Sequence, residues 1–331
     1  MHPIKLIMNP AAGSGASLKS KQKICAALDD AGLVYELVET NAPGHAEELA
    51  RQASLAGSTV VAAAGGDGTI HEVINGLVLA AQEQGAATAG RLAIFPCGTG
   101  NDFAASLRLA TDPVTVATGI RTAGETGVCR AVDIGVAIVE SVGQRGSDAE
   151  ARKETRYFFN NNLGIGLEAQ VVINAQKMPL LSGVLLYVAA ALRTIVGYRA
   201  FPIEVEWSEV DPAGANVRRT FADEAMLVTL GNGWRSGGGF RLTPDAVLDD
   251  GLLEIGIAGK VGLLRLLGLL AKALNGKHVN DPAVTMARSD SIQIRWVNDQ
   301  SFAVHTDGEV LSYAATGITV SMLPQYLEVI G

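Results

Sequence analysis

VVAAAGGDGTIHEVINGL, residues 60–77, is an apolar run that breaks into two glycines, a lone carboxylate, a third glycine and a threonine, then resumes with helical periodicity. A short apolar run, a glycine-rich turn and an amphipathic segment together read as a buried strand feeding a helix. The glycines permit positive φ and let backbone N–H groups approach a phosphate with no Cβ in the way. Thr69 can donate its hydroxyl where the helix begins. Asp67 is the odd member, because a carboxylate beside a polyphosphate is repelled unless Mg²⁺ or a water network lies between them. The loop therefore points to a metal-bound nucleotide. Taken alone, the same pentapeptide also fits a tight strand-to-helix turn with Asp67 as N-cap.

Working outward, the first 130 residues alternate short apolar runs with helical patterns. IKLIMN, YELVET, TVVAAAG and RLAIFP read as strands, and helices are expected over about 17–31, 44–56 and 72–84. That alternation predicts an α/β domain built on a parallel sheet. Ligands in such sheets bind at the carboxyl ends of the strands. The loops at those ends are NPAAGSG, TNAPGH, GGDGT and PCGTGND. The last repeats the logic of GGDGT with Gly98, Thr99, Gly100, Asn101 and Asp102, although Asn101-Asp102 also suits an ordinary Asx turn. From about Arg130 the texture changes to period-two alternation in RAVDIGVAIVE, IEVEWSEV, EAMLVTLGN, SIQIRWV and GITVSML. This is a β-rich second domain interrupted by two Leu-rich helices.

Composition narrows the field. A chain of 331 residues with 48% hydrophobic content suits two globular domains. With 34 acidic and 26 basic residues the net charge is −8, which argues against a nucleic-acid partner held by phosphate neutralisation. Cys25, Cys97 and Cys129 have no metal-ligand spacing, and an odd count suits a reducing compartment. The expectation is a cytoplasmic protein without an export signal. The apolar stretches at 178–198 and 261–274 are interrupted by Arg193, Arg265 and Lys272, so no transmembrane segment is expected.

Several familiar motifs fail. No G-x-x-x-x-G-K-[ST] and no G-x-S-x-G is present, and HEVIN has Asn75 where a zinc protease needs His. GIGLEA, at 164–169, matches a dinucleotide fingerprint, but it sits in the β-rich half with no acidic residue about 20 positions on. It reads as a decoy.

In order from residue 9 to residue 309, NPAAGSG, TNAPGHAEELA, GGDGTIHEVINGL, PCGTGNDFA, NNLGIGLEA, LDDGLLE and TDGE resemble the diacylglycerol kinase-like lipid kinases, a family that includes sphingosine kinases and bacterial lipid kinases. The resemblance implies a three-layer nucleotide domain of phosphofructokinase and NAD kinase type over 1–130, with a C-terminal return at about 322–331. A β-sandwich lipid-substrate domain would occupy 131–321. It implies ATP and Mg²⁺ as cofactors and a lipid substrate met at a membrane surface, and it leaves a homodimer open. Asn9, Thr40, Gly65, Gly66, Asp67, Gly68, Thr69, Glu72 and Thr99 would contact or organise ATP. Asp102 and Asp133 would join Asp67 in a Mg²⁺–water network, and Glu309 would be the proton acceptor. Asp250, with the carbonyls of Val247 and Leu252, would hold a structural Mg²⁺.

The residues alone leave plainer readings beside these. HTDGEV is also a β-hairpin turn, since Asp-Gly is the strongest short hairpin signal, and Asp249-Asp250 is also a surface turn. His71 and Glu168 depart from the family's usual Asn and Asp. His71 stands to contact nucleotide or to face solvent. The segment 260–278 carries Leu residues at helical spacing with Arg265 and Lys272 on one side, which suits reversible membrane association or burial against the β-rich domain. An NAD kinase and a catalytically idle nucleotide- or lipid-binding module are the rival functions.

Overall fold

The computed structural model describes residues 3–142, 152–178, 181–210, 214–297 and 301–331. Most of the polar segment SVGQRGSDAEARK lies outside the described residues. Two compact units emerge, Met1–Ile134 with Pro324–Gly331, and Gly135–Leu323.

The first unit contains β1 (Ile4–Met8), α1 (Ala12–Asp30), β2 (Tyr35–Glu39), α2 (His45–Leu55), β3 (Val61–Gly65), α3 (Asp67–Gln84), β4 (Arg91–Pro96), α4 (Asp102–Ser106), α5 (Pro113–Thr126) and the start of β5 (Arg130–Val142). β2, β1, β3 and β4 pair in parallel, in that order. The chain end completes the row, with Glu328–Ile330 parallel to Arg91–Ala93. Alternate strand residues Leu6, Met8, Ala62, Ala64, Ala93 and Phe95 pack under Ile24, Leu28, Val116 and Ile120 of α1 and α5. The opposite side, with Ile7, Val61, Ala63, Leu92 and Ile94 buried, is covered by α2 and α3. Helices thus cover both faces, which is why these strands, apart from Lys5, Arg91 and the edge strand β2, are apolar at successive positions and not alternating.

α4 and α5 go beyond the sequence reading, yet α5 carries clear signals. Asp112 caps it by accepting the Thr115 N–H (2.9 Å), Pro113 opens its first turn, and Gly127 ends it at φ 72°. Gly13, Ser14 and Gly15 form a left-handed stretch (φ 60°, 55° and 86°), so the regular part of α1 begins after Gly15, close to the start expected at about Ser17.

The second unit continues β5 and adds β6 (Arg152–Phe159), β7 (Asn162–Gly166), α6 (Leu167–Ala175), α7 (Gly183–Ile195), β8 (Phe201–Val210), β9 (Asn216–Gly231), β10 (Leu253–Gly259), α8 (Leu263–Ala273), β11 (Val284–Ser289), β12 (Ser291–Trp296), β13 (Phe302–Thr306) and β14 (Glu309–Ile330). Its pairings are antiparallel and close on themselves through β9, β7, β13, β14, β12 and β8. β9 and β14 are long enough to serve both halves of this circuit. Alternation explains the burial: Phe201, Ile203, Val205 and Trp207 of β8, and Ile292, Ile294 and Trp296 of β12, point into one apolar core. GIGLEA does straddle a strand-to-helix junction, but both neighbours of β7 are antiparallel. A dinucleotide fold needs a parallel crossover there.

Candidate active site

The glycine loops of the first unit meet at backbone level. Cys97 N–H donates to the Gly65 carbonyl (2.8 Å), which lays PCGTG beside GGDGT. A Cβ added to Gly98 would stand 2.6 Å from the Gly66 Cα. A side chain at Gly98 would collide with that backbone, so the two loops approach with no side chain between them, and the Gly98 N–H is taken by Asn101 Oδ1 (2.9 Å). Asn9, at the end of β1, donates its Nδ2 to Thr69 Oγ1 (3.0 Å) and accepts the Ala11 N–H at Oδ1 (3.0 Å). Three strand ends are thereby tied into one polar rim. Thr40 follows β2 with its N–H on the Met8 carbonyl (2.8 Å), and Thr99 is exposed.

Asp67 opens α3, and its Oδ1 accepts the Phe103 N–H (3.2 Å). Burial, and then the neighbouring charge of Asp102, push its pKa up to about 6, while backbone N–H groups of Phe103, Asp102 and Asn101 pull it back. Asp102 is itself buried. Two carboxylates held together in this way carry a charge excess that a divalent cation relieves, and oxygen donors of this kind suit Mg²⁺. Asp133 is fully buried on β5 and accepts the Gln325 N–H (2.6 Å) of the returning chain end. Among the described residues no group of three or more His, Cys, Asp or Glu is placed to hold an ion directly.

Glu72 stands one turn further along α3. Its two carboxylate oxygens accept the Gly44 and Ala46 N–H groups (2.8 and 3.0 Å), so it caps the start of α2. That fixes the PGH loop relative to the GGDGT loop. His71 is half-buried, and its Nε2 lies 3.2 Å from Asn75 Nδ2.

In the second unit, Asp307 and Gly308 form the two-residue turn between β13 and β14, with φ of 50° and 86° and Thr306 paired to Glu309. Positive φ at both central residues is the hairpin turn that Asp-Gly favours. Glu309 leads β14 and is exposed. Sequence reasoning missed what anchors this turn. The Asp307 carboxylate accepts three consecutive backbone N–H groups, from Asn160 (2.9 Å), Asn161 (3.0 Å) and Asn162 (2.8 Å). The triplet NNN was the visible signal. Asn162 in turn donates to Glu168 Oε1 (2.8 Å), which lies 3.5 Å from His305 Nε2. Hydrogen bonds to a charged acceptor contribute roughly 1.5–3 kcal/mol each. Asp307→Ala is therefore expected to cost at least about 2 kcal/mol of stability, read as a lower urea midpoint. An unchanged midpoint would show that the clamp does not hold the turn.

Asp250 Oδ1 accepts the Leu252 N–H (3.0 Å), and Oδ2 lies 3.4 Å from Arg288 Nη2. The nearby Glu254 is buried, which pushes its pKa up to about 7 against the help of the Asp245 N–H. Val247 is exposed on the same loop. The same Arg288 nitrogen donates to the Asp245 carbonyl (2.6 Å), so a cation beside Asp250 would share this loop with a guanidinium.

Residues 3–135 match the family model described as the diacylglycerol kinase catalytic domain, and residues 161–331 match the YegS C-terminal NAD kinase beta sandwich-like domain. A relative named as a YegS-like lipid kinase, from Chromohalobacter salexigens, is 31% identical over 309 residues, covering 92% of this chain and 86% of the relative. The chain belongs to the diacylglycerol kinase-like lipid kinase family. A protein named diacylglycerol kinase from Bacillus subtilis is 28% identical over 312 residues, covering 93% of this chain and 90% of its own. A crystal structure of a diacylglycerol kinase from Bacillus anthracis shares the fold at TM-score 0.67 and 23% identity, over 99% of this chain and 96% of that one. A second structure from that organism gives TM-score 0.73 at 26% identity, over 99% and 97%. Within this lipid kinase family the glycine loops and the Asp67–Asp102 pair fall in the part matched to the catalytic domain.

Proposed function

We propose that this lipid kinase depends on ATP and Mg²⁺ and transfers the γ-phosphate to a hydroxyl of diacylglycerol or a related lipid. The observation that carries the reading is the meeting of side-chain-free glycine loops with a buried carboxylate pair, Asp67 and Asp102. Backbone N–H groups of these loops receive phosphate oxygens, and the carboxylates receive the cation that accompanies them. Asn9, Thr40, Gly65, Gly66, Gly68, Thr69 and Thr99 line the phosphate and nucleotide contacts in this reading. Glu72 organises them through the start of α2. Mg²⁺, held through water by Asp67, Asp102 and Asp133, would neutralise phosphate charge. Glu309 takes the proton of the acceptor hydroxyl, and the Asp307 clamp holds the turn that presents it. Phosphoryl transfer needs this positioning and charge neutralisation, with no covalent nucleophile.

The same reading makes the first unit a phosphofructokinase-like three-layer nucleotide domain and the second a β-sandwich that takes the lipid. Radiolabelled ATP with the purified protein, presented in parallel with diacylglycerol, extracted lipids and NAD, tests it. Label is expected in lipid, only with Mg²⁺ present, and label in NAD alone would overturn it.

A structural cation at Asp250 and the Val247 and Leu252 carbonyls belongs to this proposal. Mg²⁺ should raise the melting temperature of the wild type by more than that of Asp250→Ala, which keeps the Asp67–Asp102 pair. Equal shifts in both proteins would assign Asp250 to Arg288 instead.

A further inference from the structure

Two helices of the second unit expose apolar side chains where burial is the usual fate. On α7 and its flanks, Leu181, Leu185, Leu192 and Val196 recur at helical spacing, with Leu185 72% and Val196 74% exposed. The other side of α7, with Ala190, Ala191, Thr194 and Ile195, is buried. Leu263 and Leu264 at the start of α8 add to this, Leu264 at 85%. α7 and α8 pack on one another and share an apolar cluster with Leu167 and Met226. Among the described residues, α7 therefore carries an apolar stripe with no neighbour on top of it.

Charge identifies what covers the stripe. The chain has a net charge of −8, yet no Asp or Glu occurs between Glu168 and Glu204, or between Glu254 and Asp281. The cations expected on α8 are already used, since Arg265 and Lys272 both bind Asp281 (2.5 and 2.9 Å), and Lys260 binds Glu224. These pairs hold Asp281 well below the usual carboxylate range. Lys177, Arg193 and Arg199 are exposed and have no ion-pair partner among the described residues. An apolar helical stripe flanked by free cations, with no acidic residue in the segment, is complementary to an anionic lipid surface. A second copy of this segment would bring Arg193 and Arg199 further cations and no carboxylate.

Position supplies an independent argument. Tyr187 of α7 lies beside the Glu309 hairpin, its hydroxyl oxygen 3.6 Å from where a Cβ on Gly308 would stand. A surface that docks through α7 brings that hairpin to the bilayer. No helix among the described residues is long and apolar enough to cross a membrane, so α7 supplies a peripheral contact.

We propose that the exposed stripe of α7, with the first turn of α8, docks this protein reversibly on an anionic phospholipid bilayer; the proposal rests on the lipid kinase reading above. The test is co-sedimentation of the full chain with phosphatidylglycerol-containing and with pure phosphatidylcholine vesicles. The proteins compared are wild type, Arg193→Glu/Arg199→Glu and Leu185→Ser/Val196→Ser. Wild type is expected to prefer the anionic vesicles. Each double variant should lose at least about tenfold in that binding, as removal of flanking cations or apolar area predicts. Urea midpoints should be unchanged, because all four side chains are exposed. Wild-type binding shared by both variants overturns the proposal, as does a wild type that binds neither vesicle. A concentration-dependent dimer dissolved by Leu185→Ser/Val196→Ser, without vesicle binding, assigns the stripe to self-association and overturns it too. Phosphorylation of monomeric short-chain diacylglycerol separates the two readings. If that activity is absent while α7-dependent vesicle binding persists, the kinase reading fails and the surface stands.

Discussion

Glu309→Gln is expected to lower kcat by about 10²–10⁴-fold, the range over which a positioned general base contributes. The exchange keeps size and hydrogen-bonding capacity and removes only the ability to take a proton. Glu309 is exposed at the first position of β14, so nothing buried is disturbed. The turn before it is held independently by Asp307 on three backbone N–H groups. KM for ATP and the urea midpoint should therefore stay at their wild-type values. Single-turnover kinetics with saturating ATP and lipid measure the chemical step directly. A variant with near-normal kcat would remove Glu309 from the mechanism and return the TDGE segment to an ordinary hairpin.

What could be read in the sequence was what is local. Residues 6–8, 61–65 and 92–96 are apolar at consecutive positions because helices cover both sides of their sheet, and GGDGT punctuates one of these runs with residues that only a strand-to-helix turn needs. Period-two alternation in FPIEVEWSEV likewise announced a strand with one buried face. The parallel pairing of Glu328–Ile330 with β4 leaves no such trace, because the partners are more than two hundred residues apart. The two cations of α8 looked free for the same reason: Asp281, which binds both, lies beyond the end of their helix and shows no spacing that betrays it. Asp307 was masked differently. Asp-Gly explains itself as a turn, so its grip on Asn160–Asn162, a segment nearly 150 residues earlier, is invisible until the strands are paired. α5, by contrast, was legible at Asp112-Pro113 and Gly127, and its cap and stop signals were simply not used.

Asp67→Asn is expected to lose at least about 10²-fold in kcat, comparable with removing a preorganised electrostatic contact, while gaining stability in metal-free buffer. The two effects share one cause. The folded protein holds the Asp67 pKa at about 6 through burial and then the charge of Asp102, whereas an unfolded Asp titrates near 3.9. A carboxyl group raised in this way contributes its full stability below about pH 3.9, and that contribution is lost as pH rises through about 6. At pH 8 without a cation, wild type carries an ionised Asp67 in a site that disfavours it. One pKa unit corresponds to about 1.36 kcal/mol, so the shift sets a penalty on the order of 1–3 kcal/mol. The substituted amide is neutral at every pH and its oxygen can still accept the Phe103 N–H, so the variant should melt above wild type at pH 8 in EDTA and converge with it near pH 4. Mg²⁺ with ATP should then stabilise wild type and leave the variant little changed. Thermal denaturation across that pH range, with and without Mg²⁺–ATP, measures both halves. A variant that melts below wild type at pH 8 would mean that Asp67 is held by its neighbours as an anion, and the carboxylate pair would lose its claim to be a cation site.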